Sequence, residues 1–228
     1  MFKFKNFLVF LNFTYLIFTS VAMSAEFLKI HPKTPELRKI QQVVRCLRDG
    51  GIVIYPTDTV YALGCDIHNA RAVERIAKIK GIKPQKNDFS IICYDLSHIA
   101  DYAKVSNAAF KIMKKVLPGP FTFILEASSK VPKILNSNKK TIGIRIPDHP
   151  LTRLLVQELE NPIITTSIKD DDDIREYPTD PEEIFERFQH QVDIVIDGGY
   201  GGLVPSTVIR VTDDDMEVVR QGLGMWEY

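Results

Sequence analysis

The stretch at residues 51–64, GIVIYPTDTVYALG, constrains the fold of this chain more than any other. Its apolar run at 52–55 predicts a buried strand, and Pro56 ends that strand directly before three hydroxyl side chains and one carboxylate at 57–61. Polar side chains just beyond a strand end are where open α/β sheets bind ligands. Pro-Thr-Asp is also ordinary turn chemistry. The stretch alone therefore leaves a ligand site and a plain tight turn both open.

Strand and helix patterns alternate along the rest of the chain. The predicted strands are 26–31, 52–55, 89–93, 121–125, 141–147, 162–167, 192–196, 206–211 and 217–220. The predicted helices are 34–49, which Thr34 would cap, then 69–80 with Asn69 as its cap, 97–103, 107–117, 150–159 and 181–188. This alternation predicts a single α/β domain with a twisted, largely buried sheet flanked by helices.

The charge balance and the cysteines exclude several classes of protein. Lys plus Arg and Asp plus Glu both number 29, so no bulk positive field holds nucleic acid or an anionic membrane, and an anionic ligand needs a local basic cluster. Cys46, Cys65 and Cys93 lie far apart without a Cys-x-x-Cys pair. Neither a disulfide framework nor a zinc site is indicated.

The N-terminal residues 1–25 form a separate segment in front of a domain at 26–228. Lys3 and Lys5 precede an apolar stretch at 7–22 that ends in small residues, which is the pattern of a secretory signal. The stretch is short for a membrane span, so we expect no membrane partner for the domain itself. The alternative is that translation begins at Met23.

Several polar side chains follow predicted strands, a position that suits phosphate or carboxylate binding. They are Thr57, Tyr61, Ser167, Lys169, Ser206 and Thr207. The acidic run at 170–173 is either a solvated loop or a holder of a cation near a phosphate.

Three basic residues stand in otherwise apolar surroundings: Lys80 at a helix end, Arg145 inside IGIRIP and Arg220 inside EVVRQG. A buried charge is costly unless it is paired or bound to a ligand, so these residues are candidates for anion binding. A structural salt bridge, or an edge strand that faces water, is the alternative for both arginines.

Common catalytic motifs are absent from the sequence. It contains no P-loop and no Gly-x-Ser-x-Gly elbow, and its histidines are too scattered to suggest a metal site or a triad. The residues by themselves therefore indicate a cationic, hydroxyl-lined cavity for a small anion or nucleotide.

The segments PTDTVYALG, PGPFT, IGIRIPDHP, PSTV and VVRQG occur in an order that resembles the YrdC-like family, over about residues 28–222. The resemblance implies a mixed open sheet with a large central cavity, and a cytoplasmic enzyme. It also implies synthesis of L-threonylcarbamoyladenylate from L-threonine, bicarbonate and ATP, with release of diphosphate, for the modification of tRNA. Mg²⁺ would accompany the ATP.

The same resemblance implies roles for the candidate residues. Lys80 and Arg145 would act catalytically at the carbamate or the phosphates, and Thr57 and Tyr61 would contact the threonine and the nucleotide. The remaining candidates would bind substrate or nucleotide: Ser167, Lys169, Ser206, Thr207 and Arg220.

Two positions depart from the family pattern. The usual Lys-x-Arg reads Lys80-Gly81-Ile82, and the usual Ser-x-Asn reads Ser167-Ile168-Lys169. The sequence around these positions is more similar to the YciO subgroup. The second hypothesis is therefore a nucleotide- or double-stranded-RNA-binding protein with weak or no synthase activity.

Overall fold

The computed structural model describes residues 24–81, 89–132, 135, 140–168, 177–212 and 215–226. Among these residues, eleven strands form one sheet. The strands are β1 (Glu26–Lys29), β2 (Val53–Tyr55), β3 (Ala62–Asp66), β4 (Ser90–Ile92), β5 (Ala103–Lys104), β6 (Phe121–Ala127), β7 (Thr141–Arg145), β8 (Ile163–Ser167), β9 (Ile194–Asp197), β10 (Thr207–Val211) and β11 (Met216–Arg220).

The helices of the described residues lie on both faces of this sheet. They are α1 (Leu37–Arg48), α2 (Ala70–Ile79), α3 (Ile99–Tyr102), α4 (Asn107–Val116), α5 (Pro150–Leu159) and α6 (Pro181–Phe188). Within the described residues, no helix has the length and apolarity that crossing a bilayer requires.

The sheet is mixed, with the strand order β1-β9-β2-β3-β8-β4-β7-β6-β10-β11 and β5 beside β6. The pairs β1/β9, β9/β2, β4/β7 and β6/β10 are parallel, and the other pairs are antiparallel. The predicted single-domain α/β fold with a mixed sheet flanked by helices is confirmed.

Two local predictions had different outcomes at helix starts. Asn69 caps α2 as predicted, because its side chain accepts a hydrogen bond from the Ala72 N–H at 3.0 Å. The prediction that Thr34 caps α1 is wrong. The N-cap of α1 is Glu36, which makes no capping bond with its side chain, while the Thr34 hydroxyl lies 2.9 Å from His31 Nδ1.

One strand was missed in the opening stretch. The residues after the Pro-Thr-Asp turn form β3, which pairs antiparallel with β2 so that Tyr55 lies opposite Ala62. Every residue of β3 is buried, so the segment lacks the alternation of polar and apolar residues that marks a half-exposed strand. The stretch therefore contains a hairpin, and its loop at 56–61 carries the candidate polar residues.

The helices cover one face of the sheet only in part. Helices α1 and α5 pack over an apolar cluster that includes residues of β2, β3, β4, β8 and β9 and, among the described residues, none of β6, β7, β10 or β11. Helices α2, α4 and α6 contribute to the core on the opposite face. The uncovered half of the first face leaves room for a cavity beside α1 and α5.

Candidate active site

A cavity of about 410 Å³ lies over this uncovered half of the sheet. Ala62 belongs to the cluster under α1 and α5 and also lines the cavity, which places the cavity on the same face as those helices. The lining includes three basic side chains, Lys80, Arg145 and Arg220, and no carboxylate among the described residues. Its hydroxyl side chains are Ser90, Thr122, Thr141, Thr165, Thr166, Ser167, Tyr177 and Ser206. The arrangement suits an anionic ligand with many oxygen atoms.

Strand register decides how the lining is spaced. Arg145 lies opposite Thr122, Thr122 opposite Val208, and Val208 opposite Arg220. The two arginines therefore belong to one row across the sheet, three strand spacings or about 14 Å apart. That separation suits an extended ligand with several charged groups rather than one small ion.

The floor of the cavity is built from small residues. Gly143 lies opposite Ser90, and a Cβ at position 143 would stand 2.2 Å from Ser90 Oγ. Any larger residue at 143 would displace the serine side chain and fill the floor.

Arg145 is the most deeply buried cation of the described lining. Its Nη2 atom donates to Asp58 Oδ1 at 2.5 Å, to Thr59 Oγ1 at 2.5 Å and to Thr57 Oγ1 at 3.2 Å. The side chains of Arg145 and Asp58 are only 8% and 10% exposed. The salt-bridge alternative is thus confirmed for Arg145, and the same guanidinium also lines the cavity.

The Nε atom of Arg145 is buried and has no hydrogen-bond partner in the described part of the chain. A buried donor without an acceptor costs about 1–3 kcal/mol, and such groups in native proteins usually meet a ligand or ordered water. The hairpin loop therefore holds the guanidinium in place, and its Nε–H can still donate to a ligand.

The loop that holds Arg145 is itself closed by short hydrogen bonds. The Thr57 hydroxyl donates to Val60 O at 2.7 Å and accepts from the Thr59 N–H at 3.1 Å. Asp58 Oδ2 accepts from the Asp148 N–H at 3.1 Å, which ties the loop to the chain that enters α5. The Pro-Thr-Asp segment is therefore both a tight turn and the support of the basic side chain.

His149 lies beside the Arg145–Asp58 pair and caps α5. Its Nδ1 atom accepts from the Thr152 N–H at 3.4 Å. The pKa of His149 is lowered, mainly by burial, although the neighbouring Asp58 raises it; Arg145 lowers it further. A lowered pKa keeps the imidazole neutral, and the neutral ring retains the Nδ1 acceptor that caps α5.

Lys80 and Ser167 meet at another part of the lining. Lys80 follows the last turn of α2, and its Nζ atom donates to Ser167 O, at the end of β8, at 3.2 Å. This contact places Lys80 at the end of β8, next to the candidate residue Ser167.

Arg220 and Ser206 meet at the β10/β11 end of the cavity. Arg220 Nη2 donates to Ser206 O at 2.8 Å, and Ser206 Oγ lies 2.8 Å from Thr122 Oγ1. β11 is the last strand of the sheet, and Arg220 itself is exposed. Arg220 therefore lies on an edge strand, as the alternative had it, and it also lines the cavity from that edge, so its contact with nucleotide stays a prediction.

The other predicted residues lie behind the lining or outside the described residues. Tyr61 is fully buried, and its hydroxyl donates to Gly199 O at 2.7 Å and accepts from the Gly198 N–H at 3.2 Å. Burial raises the pKa of Tyr61 to about 12. Thr57 contributes through the hydrogen bond that its hydroxyl accepts from Arg145. Lys169 and Ile82 lie outside the described residues, and contacts of Tyr61 and Thr57 with a ligand stay predictions.

Thr207 is committed to the C-terminal turn. Its hydroxyl donates to Gly224 O at 2.6 Å and accepts from the Gly222 N–H at 2.9 Å. The turn carries Trp226 against Phe121, with ring centroids 6.2 Å apart. A contact of Thr207 with nucleotide stays a prediction.

Replacing Thr207 by valine should lower the free energy of unfolding by about 1–3 kcal/mol, because the half-buried N–H of Gly222 loses its acceptor and the carbonyl of Gly224 keeps only the Gln221 side chain as a donor. Denaturant unfolding of purified protein measures this change. The control is Thr212→Val, since Thr212 is exposed and its replacement should change stability by less than about 0.5 kcal/mol. Equal stability of the Thr207→Val variant and the wild type would contradict the anchoring role.

Sequence reasoning missed several hydroxyl residues of the lining. Thr141 precedes Arg145 by four residues on the same strand, so strand alternation places both on one face and could have identified it. Thr165 precedes Ser167 by two residues on β8 and could have been identified in the same way. Ser90 and Thr122 carry no such local signal, because they reach the cavity only through pairing with strands distant in sequence.

The described residues do not offer a metal site. No group of three or more His, Cys, Asp and Glu side chains that could hold an ion is found among them. Mg²⁺ in proteins is usually held by one or two carboxylates together with substrate phosphates. The described lining, which contains no carboxylate, does not fit a resident Mg²⁺.

Comparison with known proteins places this geometry in a family. The model for the Sua5/YciO/YrdC domain, described as "Telomere recombination", matches residues 45–222. The uncharacterized protein YciO of Escherichia coli is 44% identical over 202 residues, covering 88% of this chain and 97% of that protein. Its crystal structure superposes with a TM-score of 0.83 at 43% identity, with the same coverage.

Two further relatives have names that refer to a reaction or a ligand. A putative threonylcarbamoyl-AMP synthase of Methanocaldococcus jannaschii is 35% identical over 206 residues, covering 89% of this chain and 96% of that protein. The crystal structure of P. abyssi Sua5 complexed with L-threonine superposes with a TM-score of 0.78 at 30% identity, and the match covers 86% of this chain and 57% of that one.

Proposed function

The chain belongs to the Sua5/YciO/YrdC family, and on that premise we propose that it is an L-threonylcarbamoyladenylate synthase-like enzyme. The reaction joins L-threonine, bicarbonate and ATP and releases diphosphate. Its product would serve the threonylcarbamoyl modification of tRNA.

The observation that carries the proposal is the charge of the cavity. The described lining combines Lys80, Arg145 and Arg220 with eight hydroxyl side chains and no carboxylate. ATP, bicarbonate and a carbamate are all anions rich in oxygen, so each finds donors on this surface. The preformed position of Arg145 removes part of the cost of orienting these groups on binding.

The chemistry needs positioning and positive charge more than a covalent nucleophile. The threonine ammonium group first releases one proton to solvent. The neutral amine then bonds to the carbon of bicarbonate, and its second proton leaves as water with the hydroxide of bicarbonate. A carbamate oxygen then attacks the α-phosphorus of ATP, the bond from that phosphorus to the bridging oxygen breaks, and diphosphate takes the electron pair. Charge develops on the phosphoryl oxygens and on the diphosphate, where fixed cations stabilise the transition state most.

The residues take roles that follow their places in the cavity. Lys80 and Arg145 would bind the carbamate and the transferring phosphoryl group, since they lie at the β8 end and at the middle of the lining. Ser206 and Arg220 would bind the nucleotide at the β10/β11 end, and Ser167 would bind substrate beside Lys80. Mg²⁺ would arrive with the phosphates of ATP.

A second candidate is a nucleotide- or double-stranded-RNA-binding protein that keeps the cavity without the full reaction. The departures at Ile82 and Lys169 favour it, because the family pattern has an arginine and an asparagine at these positions. Lysine does not reproduce the fixed hydrogen-bonding geometry of a planar amide.

The test is incubation of purified protein with ATP, bicarbonate and labelled L-threonine. We expect diphosphate release that requires both threonine and bicarbonate, together with a labelled adenylate. ATP binding by calorimetry without such release, or retention of double-stranded RNA at physiological salt, would favour the second candidate.

We also propose that the functional unit is residues 26–228 and that it acts in the cytoplasm, where tRNA is modified. A protein that begins at Met23 should bind ATP as tightly as the full chain. Recovery of the native protein from an exported fraction with a mature end near Met23 would contradict the cytoplasmic assignment.

A further inference from the structure

Tyr55 reaches the cavity floor from the side, along the face of the sheet that α1 and α5 cover. It is the last residue of β2 and is fully buried, and its hydroxyl lies 2.8 Å from Thr165 Oγ1 on β8. β3 runs between these two strands. The tyrosine ring passes over Gly64 of β3, where a Cβ would stand 2.9 Å from Tyr55 Cε1. The glycine therefore creates the passage through which the ring crosses a neighbouring strand.

The direction of this hydrogen bond follows from the surroundings of Tyr55. Burial raises the pKa of Tyr55, so the phenol keeps its hydrogen. Among the described residues, Thr165 Oγ1 is the recorded partner of that hydroxyl. A buried hydroxyl needs an acceptor for its hydrogen. Tyr55 therefore donates, and Thr165 accepts.

Because Thr165 Oγ1 accepts the hydrogen bond from Tyr55, the hydroxyl hydrogen of Thr165 remains available to another partner. No hydrogen bond to another described residue uses it, and Thr165 lines the cavity. Thr165 also lies opposite Ser90, which lies opposite Gly143, so it belongs to the row that forms the floor. Side chains of directly opposed residues are about 4.5–5.5 Å apart at Cβ, so one small ligand can contact both hydroxyls.

We propose that Tyr55 is a positioning residue that orients the Thr165 hydroxyl to donate to an oxygen of the bound amino acid. The inference rests on the proposed function and adds to it a specificity-determining contact. We place the amino acid at this row because the row lies beside Lys80 and Ser167, which would bind the carbamate and the substrate. Four strand spacings, about 19 Å, separate β8 from β10, where the nucleotide is placed.

The oxygen acceptor is a hydroxyl or a carboxylate oxygen of the amino acid. A polar pocket that is built to hydrogen-bond a substrate group discriminates strongly against a ligand that lacks it, because the pocket then holds an unpaired polar atom. Fixing the Thr165 hydrogen in advance also reduces the ordering that binding requires.

The test measures L-threonine affinity by calorimetry for Tyr55→Phe, Thr165→Val, Thr165→Ser and the double variant Tyr55→Phe with Thr165→Val. Thr165→Val should weaken binding by about 10- to 100-fold and Tyr55→Phe by about tenfold, while Thr165→Ser should restore most of the affinity. The double variant should bind no more weakly than Thr165→Val alone, because Tyr55 acts only through Thr165. ATP affinity without threonine should not change in any of them.

Tyr102→Phe is the matched control, since it removes a phenol hydroxyl from α3, away from the described lining, and should leave threonine affinity unchanged. Denaturant unfolding of each variant separates a loss of folded protein from a loss of affinity. Additive losses in the double variant, or unchanged affinity in both single variants while the wild type binds L-threonine, would overturn this inference alone. A wild-type protein that binds no L-threonine would overturn both this inference and the proposed function.

Discussion

Replacing Arg145 by methionine should lower the free energy of unfolding by about 3–5 kcal/mol, because it leaves the buried carboxylate of Asp58 without its charge partner. The same variant should lose ATP binding and all threonine-dependent diphosphate release, since the guanidinium lines the middle of the cavity. Denaturant unfolding and calorimetry with ATP measure the two effects separately.

Two further variants divide the structural role of Arg145 from its role toward ligand. Adding Asp58→Asn to Arg145→Met should recover much of the lost stability, because an amide does not need a buried cation, but it should not recover ATP binding. Arg145→Lys keeps the charge without the planar fork, so it should retain part of the stability and little of the activity. If Arg145→Met unfolds at the wild-type denaturant concentration, the Asp58 pair contributes little and the structural reading is wrong.

Replacing Lys80 by alanine should reduce threonine- and bicarbonate-dependent diphosphate release by roughly 10²- to 10³-fold, the usual effect of removing one fixed donor from developing negative charge. The effect on stability should be small, because Lys80 is only half-buried. Initial rates over a range of threonine and ATP concentrations measure the loss and show whether it lies in kcat.

Lys78→Ala is the matched control for Lys80. It removes the same charge from the exposed side of α2, two residues away, and does not line the cavity. It should leave the rate within about twofold, since exposed charges are screened by solvent and salt. An equal loss in the two variants would mean that Lys80 acts through the general field of the protein and not by contact with the reacting groups.

The secondary structure was largely readable from the sequence because its causes are local. The periodicity of apolar residues identified helices α1, α2 and α5 and strands β6, β7 and β8, with small differences at their ends. The Asn69 cap was readable for the same reason, since it needs only a partner three residues away. The basic residues in apolar strands were also sound candidates, because burial of a charge requires a partner wherever it occurs.

What the sequence by itself determined was therefore the α/β class, most helices and strands, and the cations Lys80, Arg145 and Arg220 that line the cavity. The tertiary structure decided which side chains meet: Arg145 and Asp58 are 87 residues apart in the chain, and Tyr55 and Thr165 are 110 apart. Such contacts depend on strand order and register, and a shift of one residue would turn each side chain to the other face of the sheet. For the same reason only the folded chain shows that Thr207 holds the C-terminal turn, whereas its neighbour Ser206 faces the cavity. Local periodicity carries no information on these pairings, because they form between strands that are distant in sequence.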